Sequence, residues 1–427
     1  MKILWFKETS TLYDDYQNYY FGCGWTESLQ QLLTKVPDVK LSVAFFHPTD
    51  NDKLSKSDVT YYPIVKPENK NNPFKKLLNN WTGNAEVYNL QVEIDKIISD
   101  DNPDIIHVFG TEGAFSNINT YTTIPVVYHL QGLINPCLNT YLPINQSKFS
   151  FYGNINYLAN NIKGNSPAFE LKRFKNQAKR EGQILKSVRY VMGRTTWDKT
   201  IVTLFNPKVR YFHVDEVLRS VFYEEISSNF KEKNNVFHIV STLSPTVYKG
   251  IDVVLKTAKV LKELTTIDFQ WEIIGLDSNS KLLKHFEKSE NIKHSEVNIV
   301  CIGRKSPEQL VECLQNADVY VHPSYIDNSP NSVCEAQIIG LPVVACNVGG
   351  VSSLVEHNYT GFLVPSNGVF EIINYLKILF EDEEMRSKVG KQAKDEAVLR
   401  HNSEKIIHDV LNVYKIIINA VNTENDD

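Results

Sequence analysis

Long apolar runs are missing from this 427-residue sequence. No stretch of about 18 apolar residues occurs, so no membrane-crossing helix is expected. Contact with a membrane surface stays open. A charge extreme is missing too: 45 basic against 50 acidic residues leave a formal charge of −5. A phosphate-backbone binder usually carries a basic excess, so general nucleic-acid binding is not expected. The six cysteines, at positions 23, 137, 301, 313, 334 and 346, form no C-x-x-C pair. Most sit in apolar runs, which reads as reduced, buried thiols in a cytoplasmic protein, without a disulfide frame or a zinc site. The apolar run in Met1–Glu8 is too short for a signal peptide and reads as a first buried strand. No Walker loop, H-E-x-x-H, G-x-S-x-G or G-x-G-x-x-G stands in a fitting context. Asp50-Asn51-Asp52 matches a D-x-D metal pattern, but it follows a strand in a polar loop and reads as a surface turn. No metal is expected.

What is present is alternation. Short apolar runs alternate with amphipathic segments, the signature of parallel sheets covered by helices. In the first half, strands are expected at 2–6, 40–46, 104–109, 124–128 and 188–192, and helices at 24–35, 86–99 and 168–187. The second half reads as strand 236–243, helix 249–264, strand 269–274, helix 279–288, strand 297–302, helix 306–315, strand 317–322, helix 330–340 and strand 342–346. In the first of these helices Ile251, Val254, Leu255, Ala258 and Leu261 make one apolar stripe. The length suggests two or three domains. We expect an N-terminal Rossmann-like domain over 1–226, a polar linker at 227–235 and a C-terminal Rossmann-like domain over 236–400. Beyond it, 401–427 is expected to be a helix, with return to the N-terminal domain left open, and a frayed tail. Ligands of doubly wound sheets bind at the carboxyl ends of their strands, so a cleft enzyme or cleft binder is expected.

The richest stretch runs from Tyr320 to Gly350. An apolar strand enters the polar loop Ser324–Ser329, in which Asn328 also stands, and a helix follows. Ser329 reads as the N-cap and Pro330 as the first helical residue. The amides of Asn331 and Ser332 would then lie free at a helix start, which favours phosphate. Asp327 precedes the helix and Glu335 lies one turn inside it. Carboxylates repel phosphate, so their fitting partners are hydroxyls of a sugar and a ribose. The competing structural reading is a common strand–loop–helix whose acids simply suit the helix dipole.

These residues resemble the E-x7-E signature of the retaining family-four glycosyltransferases, which have the GT-B fold, with Asp327 in the first position and Glu335 in the second. The likeness continues through Glu335-Ala336, Gly340-Leu341-Pro342-Val343-Val344-Ala345, Gly349-Gly350, Glu356 and Gly361. It covers residues 236–400 well and the N-terminal half loosely. The resemblance implies that Asp327 contacts the donor sugar and Glu335 the nucleotide ribose. Asp for Glu shortens the first reach by one methylene.

Ser241-Thr242-Leu243 with Tyr248-Lys249-Gly250 resembles the family's G-R-L and K-G elements, which hold the donor diphosphate. Lys249 matches, whereas Thr242 stands where the family has Arg. Phosphate charge would then rest on Lys249, helix dipoles and Arg304. Gly303-Arg304 stands where the family places nucleobase contacts. Gly22 and Gly24 resemble the family's glycine loop, with a plain tight turn as the alternative. The family often has His-Gly after a strand; here the aligned residue is Gln131, and His129 shares its strand face two residues earlier. Either could face the donor sugar, and a buried core histidine is the structural alternative for His129.

The resemblance implies an α/β protein of two doubly wound domains around a cleft. Its function would be retaining transfer of a sugar from a nucleotide-diphospho-sugar, UDP- or GDP-linked, to an acceptor hydroxyl in glycan or polysaccharide biosynthesis. No cofactor is required on that reading. The acceptor, whether lipid-linked, glycan or small molecule, is not legible. The alternatives are a catalytically silent nucleotide-sugar-binding subunit and a nucleotide-sugar epimerase of the same fold. Two basic stretches, Lys70–Leu78 with Trp81, and Lys172, Arg173, Lys175, Lys179 and Arg180, suit a peripheral contact with the inner face of a membrane. A solvated helix face is the competing reading for both.

Overall fold

The computed structural model describes residues 1–9, 12–13, 24–48, 53–65, 73–84, 89–224 and 236–426. The chain divides into two compact units. The first holds Met1–Asn135, Lys172–Arg219 and His401–Asp427, and the second Pro136–Leu171 and Ser220–Arg400. Each is an α/β unit built on one sheet, so the expectation of two doubly wound folds holds.

In the first unit, every residue of β1 (Lys2–Lys7) after Lys2 is buried, as suits a strand covered on both faces. It pairs in parallel with β2 (Lys40–His47) on one side and β5 (Ile105–Phe109) on the other. The sheet is completed by β3 (Leu54–Lys56), β4 (Val59–Val65), β6 (Val126–His129), β7 (Tyr190–Gly193) and β8 (Arg210–His213), in the order β3-β4-β2-β1-β5-β6-β7-β8. Only the β3–β4 pairing is antiparallel. One face packs Trp5, Trp25, Tyr61 and Tyr190 against Val410, Tyr414 and Ile417 of the last helix, Ser403–Asp426. The Tyr414 hydroxyl lies 2.5 Å from His107 Nδ1 and accepts a hydrogen bond from Trp5 Nε1 at 3.4 Å.

The second unit carries β9 (Phe237–Thr242), β10 (Phe269–Ile274), β11 (Ile299–Gly303), β12 (Val319–His322), β13 (Val343–Cys346) and β14 (Gly361–Val364). Their order is β11-β10-β9-β12-β13-β14, all parallel. The order reverses between β9 and β12. A doubly wound sheet opens a crevice at such a switch point, so the loops after β9 and β12 are where a ligand is expected.

Three sequence expectations need correction. Strands β3, β4 and β8 were not foreseen: β4 contains Pro63, which argues against a strand, and β8 is a short half-exposed edge. Pro63 is tolerated because the antiparallel pairing with β3 ends at Tyr61. Second, the chain does not divide at residue 226, because residues 136–171 and 220–224 cluster with the C-terminal half. Third, Pro330 and not Ser329 is the cap residue, and the helix begins at Asn331. Within the second basic stretch, Lys172 also has a structural contact. Lys172 Nζ donates to the Trp81 carbonyl at 2.8 Å, and Asn176 ties down Thr82 and Gly83. The linker 227–235, the D-x-D turn, Gly22 and Lys70 lie outside the described residues.

Burial holds His107 neutral, its pKa pushed down to about 3, and holds His129 well below the usual histidine range. Unfolding releases both to a pKa of about 6.5, so the unfolded chain takes up protons that the fold refuses. Their contribution is therefore complete above about pH 6.5 and is lost as the pH falls, by up to about 1.4 kcal/mol per pH unit for each histidine. Denaturant unfolding from pH 8 to pH 5 should show stability falling below neutrality, less steeply in His129→Leu. Equal slopes in the two proteins would show that His129 is not held neutral.

Candidate active site

The site grows from the ends of β9 and β12. Ser241 Oγ donates to the Val321 carbonyl at 2.6 Å and accepts from Trp271 Nε1 at 3.1 Å, so this serine ties the two switch-point strands together. Next to it the Thr242 amide donates to the Tyr320 hydroxyl at 3.4 Å, and Ser332 hydrogen-bonds the same phenol. Tyr320 thereby links the end of β9 to the first turn of helix Asn331–Ile339.

After β9 the chain makes a short 3₁₀ turn, Val247–Lys249, and passes Gly250 at φ +80°. A Cβ on Gly250 would lie 2.2 Å from the Pro323 carbonyl oxygen. Only glycine lets this loop press against the loop after β12, and the Tyr325 amide then donates to the Tyr248 carbonyl at 2.9 Å. The loop after β12 is gripped from its other side as well. Gly350 donates its amide to the Asp327 carbonyl at 3.0 Å, and a Cβ on Gly349, at φ +56°, would lie 1.8 Å from that oxygen. The glycines of the sequence motif thus fix the backbone of Asp327.

Held this way, the Asp327 carboxylate meets Lys249 Nζ at 2.5 Å, and His322 Nε2 lies 3.4 Å from the same oxygen. Burial alone would raise the pKa of Asp327. The Lys249 ammonium, and after it His322, outweigh burial and hold the carboxyl well below the usual range. Asp327 and Lys249, given separate partners by sequence reasoning, here face each other. His322 was missed. The available signal is strand periodicity, since it shares a face of β12 with Tyr320 and ends the strand five residues before Asp327.

At the helix start, Val333 and Cys334 donate to the Pro330 carbonyl, while Asn331 and Ser332 occupy the first turn, where amides have no intrahelical acceptor. Asn328 and Ser329 are buried beneath it. Glu335 is buried one turn further in, close enough to Tyr320 for its charge to raise the phenol pKa, behind the larger effect of burial. Gly303 ends β11, two strands from β9, at φ +68° with open space where a Cβ would stand, and Arg304 beside it is exposed.

In the first unit, His129 has 0% exposure. It lies edge-on to Trp25 at 5.0 Å and stacks on His107 at 5.4 Å, with no hydrogen-bond partner on either ring nitrogen among the described residues. It is a core histidine of its unit, while Gln131, past the strand end, is half-buried. Sequence reasoning also missed the buried Arg194–Glu216 ion pair; Arg194 donates to the Gln131 carbonyl at 3.3 Å and so holds that turn. Gly24 begins helix Gly24–Leu33, and a Cβ there would strike the Arg219 side chain at 2.5 Å. No cluster of His, Cys, Asp or Glu fit to hold a metal ion exists among the described residues.

Comparisons with known proteins bear on this geometry. Residues 223–396 match the family described as Glycosyl transferases group 1. D-inositol 3-phosphate glycosyltransferase of Paenarthrobacter aurescens is 32% identical over 163 residues, which cover 37% of this chain and 38% of the relative. The chain spans 38% to 44% of the length of the curated relatives it matches first. Among solved structures, sucrose-phosphate synthase from Thermosynechococcus elongatus superposes with a TM-score of 0.69 at 14% identity, covering 98% of this chain and 99% of that one. Anabaena HepE in complex with UDP and glucose gives 0.64 at 15% identity, covering 97% and 99%. These likenesses establish the GT-B fold.

The clamp on Asp327 predicts intolerance at Gly349. Gly349→Ala adds a methyl into a backbone carbonyl at a left-handed φ, and should destabilise the second unit by about 2 kcal/mol or more. An unchanged denaturation midpoint would mean the loop has room that these contacts deny.

Proposed function

We infer that this chain, whose residues 223–396 match the glycosyl transferases group 1 family and whose fold is GT-B, transfers a sugar from a nucleotide-diphospho-sugar to an acceptor hydroxyl, with retention at the anomeric carbon. The carrying observation is the meeting of Lys249, Asp327 and the start of helix Asn331–Ile339 at the switch point of the second sheet. A cation, a hydroxyl-binding acid and unsatisfied helix amides converge there, as a diphosphate joined to a sugar requires.

In this reading the second unit holds the donor and the first unit the acceptor. The diphosphate lies at the helix start, where the amides of Asn331 and Ser332 and the Lys249 ammonium neutralise it. Thr242 replaces the family's arginine, so more of that load falls on Lys249, the helix dipole and Arg304. Glu335 accepts hydrogen bonds from the ribose hydroxyls. Lys249 starts out paired with Asp327. Phosphate oxygens compete for its ammonium, and the released carboxylate is then free to accept a hydroxyl of the donor sugar. Transfer breaks the bond between the anomeric carbon and the diphosphate oxygen. The acceptor oxygen bonds to that carbon on the same face, and its proton passes to the departing diphosphate. The protein supplies position and charge. HepE was solved with UDP, which supports a uridine donor for this chain as well.

The first test is isothermal titration with UDP and GDP, followed by diphosphate release from their sugars over a panel of acceptors. Glu335→Ala should weaken nucleotide binding by about tenfold or more, through loss of a charged hydrogen-bond acceptor. Wild-type affinity in that variant would remove Glu335 from the nucleotide site. Lys249→Ala should lower kcat by about a hundredfold, the scale of losing one preorganised charge partner for the leaving group. A normal kcat there would defeat the diphosphate role. Nucleotide binding without release, over the whole panel, would favour the silent subunit.

A further inference from the structure

Between Glu112 and Glu170 the sequence contains no aspartate or glutamate. Inside that interval, Ile144, Phe149, Tyr152, Ile155, Leu158 and Ile162 are all exposed. These are six of the twenty-one exposed large apolar side chains among the described residues, gathered into 19 positions. Phe149 is 69% exposed and Ile155 78%. Scattered apolar exposure is ordinary, whereas a concentrated patch marks an interaction surface.

The segment is well anchored. Phe151 and Tyr157 are buried, with ring centroids 4.2 and 6.0 Å from that of His285 on helix Lys281–Glu290. Asn154 Nδ2 lies 2.9 Å from His285 Nδ1 and Gln146 Oε1 3.1 Å from His285 Nε2. Asn160 Oδ1 accepts from Lys281 Nζ at 2.5 Å, and Asn161 donates to the Phe151 and Tyr152 carbonyls. Polar side chains thus hold the segment to its own unit while large apolar ones face outward, the reverse of what water favours. Its only formal charges are Lys148 and Lys163, both exposed.

We propose that residues 144–163 are a bilayer-contact surface that takes anionic phospholipid. Exposed apolar side chains enter the boundary between headgroups and acyl chains, while the lysines stay at headgroup level and pair with phosphate. The segment itself carries two lysines and no carboxylate, which favours an anionic leaflet, and Glu170, near the buried Tyr157, lies beyond its end. Helix Pro73–Thr82 in the other unit repeats this chemistry. Phe74, Leu78 and Trp81 are exposed at i, i+4 and i+7 beside Lys75 and Lys76, with no acid in the helix. The proposal is independent of the transferase reading.

The test is flotation of the purified full-length chain with phosphatidylcholine vesicles, with and without about 30% phosphatidylglycerol. The wild type should float with the phosphatidylglycerol vesicles and much less with phosphatidylcholine alone. F149S/I155S/L158S should bind about tenfold more weakly or worse, with circular dichroism and thermal midpoint unchanged. Should that variant not fold, K148E/K163E replaces only exposed charges, and its binding should drop to the phosphatidylcholine level. Failure of the wild type to float, or flotation of both variants like the wild type, overturns the proposal. So does loss of binding in F74S/L78S/W81S alone, which moves the contact to the other helix. A dimer in sedimentation velocity that F149S/I155S/L158S dissolves also overturns it, because a second copy then covers the face.

Discussion

The ion pair between Lys249 and Asp327 is the constraint around which the second unit is arranged. Its partners stand 78 residues apart and at the ends of different loops. Two glycines, one in each adjoining segment, remove the side chains that would keep these loops apart. Ser241 and Tyr320 then fasten the strands from which the loops spring. Neither charge is well solvated, so neither would be stable there without the other. With the Asp327 backbone clamped between Gly349 and Gly350, a short side chain suffices to reach the ammonium, and it leaves room beyond it.

Much of the second unit was legible because its strands are short apolar runs and its helices carry clear stripes. The stretch from Tyr320 to Gly350 also announced its strand, loop and helix through Pro330, Gly340 and Pro342. What could not be read was pairing across the sheet. Lys249 and Asp327 each look like a ligand residue in isolation, and nothing local says that they touch. His129 was misleading for a related reason. Its strand face was predictable, but whether that face met solvent depended on Trp25, His107 and Phe109 arriving from two other elements.

The first unit was harder because its edges break local rules. Pro63 sits in a strand, and β8 exposes much of itself. Residues 136–171 were assigned by sequence order to the unit that precedes them, yet their aromatic side chains pack on His285. Order along the chain is a weak guide when an insertion between two strands is long enough to find a surface elsewhere.

That departure, with the last helix, gives the molecule an unusual schedule. Tyr414 fills the centre of a core that includes Trp5, so the first unit is completed only after the second has been synthesised. While the intervening residues are synthesised, β1, β2 and β5 can pair, but one face of their sheet stays open to water. The second unit, all of whose residues precede His401, can close as soon as Arg400 has emerged. Nascent chains would therefore fold from the middle outward, and the half-covered first sheet is the surface a chaperone would find.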